Sequence, residues 1–512
     1  MEKISSWARK ESYLPLGIIL LILLVGFLLR IINLDSKIYW FDETFTSFVI
    51  SGQRRAELAS SISAATGINS AELFSFQQGS SSIFKTISSL SEDVHPPAFF
   101  LLGNFWIRIF GDSVYSLRFL SVFISFLTIA FGGLIIYQIF ASFLATGIAI
   151  TFLSLSPFQI GYAQEARPYT LLMLITSIST LLVLKISQNF KKNHLFHYTA
   201  ITTFGLYTHI LYVLVIFGQL FYLAKSESKS VFKKIMSAAK ISFYLFIPWL
   251  LVIVFNLRRF LGQLRWTVES KPSQGKITKL IHSLASSFSY FSNTQDNHLF
   301  LVIQFSVVLI GLASIIYLLK ARREYTLLVY VFLFSLLPIT FVSSSVNPRF
   351  IAPALLMFNL LVASAIGELL SRKSDSKISK ALSIVLLIFL VVVSSASSFS
   401  YLSASTAWTK GGIDSKAIAS VINNQADRSL VISDGERPAT PIYLLTLSRY
   451  LEPETTLIGL KKPYNLGLLK QYSSVFLYVE PRSELREKLS ESYQVIEIGD
   501  PRFQLWKLKK AS

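Results

Sequence analysis

Charge is scarce in this chain of 512 residues. Only 15% are Asp, Glu, Lys or Arg, against about 25% in an ordinary soluble domain, which is too little to cover a water-soluble globule. Cysteine is absent. That excludes a disulfide-stapled scaffold, and any exported part must fold without such bridges. Acids are scarcer than bases: 29 Asp and Glu face 48 Lys and Arg, a net charge of +19. In a soluble protein this excess would suggest nucleic acid. Here 52% of residues are hydrophobic and 42 are Phe, so the bilayer is the first partner to consider and no nucleic acid is expected.

A membrane helix needs about 20 mostly apolar residues in succession. About eleven such runs are readable, near 14–32, 114–138, 143–158, 168–187, 196–208, 210–224, 239–257, 299–319, 325–344, 350–370 and 381–402. The run 97–110 spans only about 20 Å as a helix and suits the membrane interface better than a crossing. The predicted class is therefore an α-helical polytopic membrane protein. Cytoplasmic loops collect Lys and Arg. With Lys3, Arg9 and Lys10 inside, so are Lys185/Lys191/Lys192, Lys225/Lys229/Lys233/Lys234, Lys320/Arg322/Arg323 and Arg372/Lys373/Lys377/Lys380. The first run then reads as a signal anchor with a cytoplasmic N-terminus. Residues 1–402 form the membrane domain, with outer loops 33–113 and 258–298. Residues 403–512, where strand-like runs interleave with the charged stretch Ser483 to Ser492, are expected to form a small extracytoplasmic α/β domain.

Polar residues collect on the outer side in four places. The first loop opens with Tyr39-Trp40-Phe41-Asp42-Glu43 and closes with His95-Pro96-Pro97. Acids against an apolar surface are costly unless used, although an N-cap acid opening a helix over 43–55 would serve the helix dipole equally. The second loop, 156–169, carries Gln164, Glu165, Arg167 and Tyr169. A third cluster is Tyr207-Thr208-His209, and a fourth is Asn347-Pro348-Arg349-Phe350, where Arg349 stands on the side that the charge rule depletes. Carboxylates beside arginines at this face suit chemistry on a lipid phosphate: Arg grips the anion, and a carboxylate takes a proton from an incoming hydroxyl. Two of these acids, Asp42 and Glu165, could also hold Mg²⁺ or Mn²⁺.

The succession Phe41-Asp42-Glu43, His95-Pro96-Pro97, Phe110-Gly111-Asp112 with Arg118, Ser156-Pro157, Gln164-Glu165-Ala166-Arg167-Pro168-Tyr169, His209, and Arg349-Phe350 with Pro353 resembles the bacterial protein-mannosyltransferase-like membrane glycosyltransferases. These belong to the C-type superfamily, which also holds the lipid A aminoarabinose transferase. The resemblance covers roughly 14–370. It implies inverting transfer of a sugar from a polyprenyl-phosphate donor to a lipid, glycan or protein hydroxyl at the outer face of the cytoplasmic membrane. Asp42 matches the catalytic base, Glu43 its partner and Glu165 a second acidic position. Arg167 and Arg349 match contacts to the donor phosphate, and His95, Gln164, Tyr169 and His209 match positions lining the cavity. The Trp-Trp-Asp type signature of oligosaccharyltransferases is absent, which disfavours asparagine-linked glycosylation. The alternative is a polytopic flippase or transporter of lipid-linked glycans, which predicts ionisable residues near helix centres.

Overall fold

The computed structural model describes residues 13–92, 95–226, 229–262, 275–290, 298–321, 324–343, 346–371, 376–404, 414–425 and 429–510. Lys3, Arg9, Lys10, Arg322, Arg323, Arg372 and Lys373, used above for orientation, lie outside these. The chain divides into two compact units. The first comprises Met1–Leu34, Val94–Phe99 and Arg118–Ala404; the second comprises Asp35–Asp93, Phe100–Leu117 and Ser405–Ser512.

The first unit is a helical bundle and the chain is a multi-pass membrane protein. Among the described residues seven helices are long and apolar enough to cross a bilayer. They are Val114–Phe140, Tyr169–Gln188, Lys229–Phe255, His298–Ala321, Tyr325–Val342, Pro348–Ser371 and Lys377–Ser403. An eighth crossing arises if Phe143–Leu155 and Pro157–Ala163, bent by 57°, are one span. Shorter apolar helices cover Leu16–Ile31, Ala98–Phe110 and Tyr212–Lys225. The segment 156–169, read above as a loop, is therefore partly helical. Pro157 takes the first helical position after Ser156. Its missing N–H and fixed φ break the preceding helix and start the next.

Helix Ala352–Ser371 is the axis of the bundle, buried from Ala352 to Glu368. It packs against Phe143–Leu155, Tyr169–Gln188, His298–Ala321 and Tyr325–Val342. Small residues permit the close approach that membrane helices use in place of a hydrophobic driving force: a Cβ on Gly367 would lie 2.8 Å from that of Ala145. Tyr198 donates to Gln219 at 2.9 Å and Gln219 to Ser179 at 2.8 Å, linking three helices through buried polar groups. Lys229–Phe255 and Lys377–Ser403 instead expose Phe255, Leu251, Ile388 and Phe399, as lipid-facing helices do.

The second unit is built on a six-stranded sheet: β1 (Ile68–Asn69), β2 (Ser429–Asp434), β3 (Thr456–Leu460), β4 (Ser474–Tyr478), β5 (Tyr493–Glu497) and β6 (Leu505–Lys510). The order is β1-β3-β2-β4-β6-β5. β2 runs parallel to both β3 and β4, while the remaining pairs are antiparallel. Of the strand-like runs in the sequence, Leu430 to Ser433, Val475 to Val479, Val495 to Ile498 and Phe503 to Trp506 correspond to β2, β4, β5 and β6. β1 and β3 are additions, and β1 comes from the first long loop, Ile68 pairing with Leu457.

The helix Thr440–Ser448 between β2 and β3 is buried at Ile442, Leu444, Leu445 and Leu447. A helix apolar on every side must be covered on every side. The sheet covers part of it, and the loop helices Phe41–Ile50, Arg55–Ile62 and Ser70–Ser75 pack against it as well. The first long loop and the C-terminal segment therefore share one packed unit.

Candidate active site

In the first unit the bend at Ser156 leaves carbonyls without helical partners, and the unpaired groups would be costly in a bilayer. Arg30 fills that need. Its guanidinium donates to the carbonyls of Leu153 at 2.9 Å, Ser154 at 3.0 Å and Gly26 at 2.7 Å, and to the Ser125 hydroxyl at 2.9 Å. Arg118 likewise donates to the Leu34 carbonyl at 2.7 Å. Gln164 donates to the carbonyls of Arg30 at 3.2 Å and Ile32 at 2.8 Å. The residue expected to line a cavity thus ties the turn after Ala163 to the end of the first apolar helix.

That turn carries Glu165 and Arg167, both almost fully buried, and leads into Tyr169. Arg349 is buried in the short 3-10 turn Pro348–Ile351. The Asn347 side chain caps this turn by accepting from the Arg349 N–H at 3.2 Å. His209 sits between the helices Lys192–Thr208 and Tyr212–Ser226, and its Nδ1 accepts from the Leu211 N–H at 3.2 Å. Its ring lies 5.9 Å from that of Tyr169. The His209 imidazole is pushed down to about 3, first by burial and then by the charges of His95, Arg167 and Arg349. Four residues predicted from distant parts of the sequence therefore share one electrostatic neighbourhood, with Tyr169 beside it. At neutral pH His209 is uncharged, while the two arginines acting on it keep their protons.

Sequence reasoning missed Tyr290. It lies after the helix Lys276–Ala285, with its ring 6.3 Å from Tyr401 and from His282. Burial and then the Glu165 carboxylate push its hydroxyl up to about 12. Glu165 thus has a phenol within electrostatic reach. The only signal was a lone Tyr among serines in the loop 258–298, where no periodicity marks it.

Asp42 and Glu43 belong to the second unit. The helix there is Phe41–Ile50, with Trp40 at the N-cap position, so neither acid is the cap. Both lie in the first turn, where the N–H groups of Glu43 and Thr44 bond to the Trp40 carbonyl at 2.9 Å and the helix dipole favours negative charge. Glu43 is fully buried and Asp42 half-buried. The Tyr39 hydroxyl shares a 2.5 Å hydrogen bond with Ser47. Among the described residues no group of three or more His, Asp and Glu is placed to hold a metal ion.

No family model matches the sequence, and no curated protein matches it. Solved structures do. ArnT from Cupriavidus metallidurans bound to undecaprenyl phosphate has a TM-score of 0.57 at 12% identity, over 96% of this chain and 98% of that one. The same protein in the apo state has a TM-score of 0.55 at 11% identity, over 96% and 97%. Matches across nearly both whole lengths make the fold of this chain similar to that of ArnT.

Proposed function

We propose that this chain is an inverting glycosyltransferase that moves a sugar from a polyprenyl-phosphate-linked donor to an acceptor hydroxyl at the outer face of the cytoplasmic membrane. The observation that carries the proposal is the cluster of Arg167, Arg349 and His95 acting on the buried His209, held in a fold similar to one solved with undecaprenyl phosphate. Two guanidinium groups that keep their charge and present planar forks of donors suit a bound phosphate.

In the proposed reaction the Asp42 carboxylate takes the proton of the acceptor hydroxyl. The freed oxygen forms a bond to the anomeric carbon as the bond from that carbon to the phosphate oxygen breaks. The electron pair of that bond leaves with polyprenyl phosphate, whose charge Arg167 and Arg349 stabilise. Attack opposite the leaving group inverts the anomeric centre. Glu43, buried one residue further along the same turn, orients Asp42, and Glu165 shapes the sugar or acceptor side. Among the described residues no three-residue ligand set accompanies Asp42 or Glu165. The Lys and Arg pattern supports a cytoplasmic N-terminus and an extracytoplasmic C-terminal domain. Arg30 and Glu368 lie in the last turns of their helices rather than near their centres, which favours an enzyme over a transporter.

The test is transfer by purified protein from radiolabelled polyprenyl-phosphate sugars. Asp42→Asn is expected to lower kcat by about 100-fold or more with the donor KM little changed. Transfer at the wild-type rate would remove Asp42 from the base position.

A further inference from the structure

The reaction proposed above leaves one conspicuous helix without a part. Thr440–Ser448 leaves the carboxyl end of β2, the middle strand of the parallel portion. The chain proceeds from β2 to β3 on one side and later returns to β4 on the other. Two elements of the first long loop meet this helix and its end. Tyr443 packs its ring on Phe41, with centroids 4.8 Å apart and planes at 49°. Phe41 is the residue immediately before Asp42.

The same helix grips Tyr39. The Tyr39 N–H donates to the Tyr450 hydroxyl at 2.8 Å, and the Arg449 guanidinium lies 4.4 Å over the Tyr39 ring. Arg449 also donates to Gln77 at 2.7 Å, and Gln77 donates to the Leu445 carbonyl at 2.9 Å. The residues on both sides of Trp40 are therefore held from the C-terminal segment. The groups whose charge acts on Tyr443 are Asp42 in the helix turn and Arg437 after β2, and Tyr443 in turn acts on Tyr478 at the end of β4. Burial and then the Asp42 carboxylate raise the Tyr443 hydroxyl, while Arg437 pulls it back. The phenol is thus protonated at neutral pH and able to donate to an ionised carboxylate, which would favour the charged form of that carboxylate.

We infer that Tyr443 is a positioning residue for Asp42, so that the C-terminal sheet domain sets the readiness of the base. The inference rests on the reading of Asp42 as the base. It gives the C-terminal domain a part in the chemistry itself, through a side chain that touches neither donor nor leaving group.

The experiment is the pH profile of kcat for the full-length protein in lipid nanodiscs, comparing wild type, Tyr443→Phe and Asp42→Asn. Phenylalanine keeps the ring on Phe41, so the unit stays packed. Tyr443→Phe is expected to lower kcat by about 5- to 20-fold, a fraction of what the base itself supplies. The donor KM should stay constant, and the acid limb should move to higher pH by about half a unit or more, because the carboxylate loses a donor that favours its charged form. A Tyr443→Phe enzyme with wild-type kcat and acid limb overturns the inference. So does one that merely loses folded protein at an unchanged limb, since that is a structural role alone. An inactive Asp42→Asn beside a wild-type-like Tyr443→Phe sinks only the part given to Tyr443. An Asp42→Asn enzyme that transfers normally sinks the base assignment and this inference together.

Discussion

The two units bury charge by opposite means. In the first, cations come from the last turn of a helix and from turns between apolar helices. Arg30 is satisfied by backbone carbonyls that a broken helix frees, whereas Arg167 and Arg349 share their surroundings with a neutral histidine. In the second, acids stand in the first turn of a helix, where peptide dipoles favour them, and residues some four hundred positions away secure that turn. The difference teaches what each charge is for. Arg30, whose donors go to carbonyls and one hydroxyl, is part of the scaffold, while Arg167 and Arg349 act on a neighbouring imidazole and are the cations proposed to meet an anion.

The sharpest way to break this distinction is to exchange the two kinds of arginine. Arg349→Ala should raise the donor KM by about 10-fold or more while leaving thermal stability near wild type, and Arg349→Lys should restore only part of the affinity, because a point charge replaces a planar fork. Equal donor KM in Arg349→Ala would place the phosphate elsewhere. Arg30→Leu should do the reverse. It strands the carbonyls of Leu153 and Ser154 together with the Ser125 hydroxyl, at about 1–3 kcal/mol for each buried group left unsatisfied. A fall in the unfolding midpoint in detergent, with residual protein retaining its donor KM, is the expected result. An unchanged midpoint would mean that water or lipid head groups replace the guanidinium.

Much of the first unit was legible because a bilayer demands long apolar runs, and those runs stand out in any chain with so little charge. Arg167, Arg349, His95 and His209 were legible for the complementary reason: polar residues between spans are few, and Arg349 defies the charge rule. Arg30 broke that rule too, at the far end of the first run, yet its apolar neighbours hid it. The second unit was harder. The two-residue strand β1 has no periodicity to show, and its partner β3 lies nearly 390 residues further along. The Thr440–Ser448 helix reads as an ordinary leucine-rich core helix, and nothing near Tyr443 in the sequence points to Asp42. Local pattern reveals what a segment buries but not which distant segment buries it.

The smallest expected effect tests the field that marks the cation group. His209 is held near 3 when folded, well below the ordinary imidazole value of about 6.5. Between these values the unfolded chain binds a proton that the folded chain refuses, so stability rises with pH through that window and is lost as pH falls from about 6.5 toward 3. Above about 7 both states hold a neutral ring and the contribution vanishes. His209→Gln should therefore leave the unfolding midpoint at pH 7.5 close to wild type while flattening its decline between pH 6.5 and 5. Parallel declines in the two proteins would mean that neither burial nor the neighbouring charges depress His209. The contrast between the scaffold cation Arg30 and the arginines that act on His209 would then dissolve.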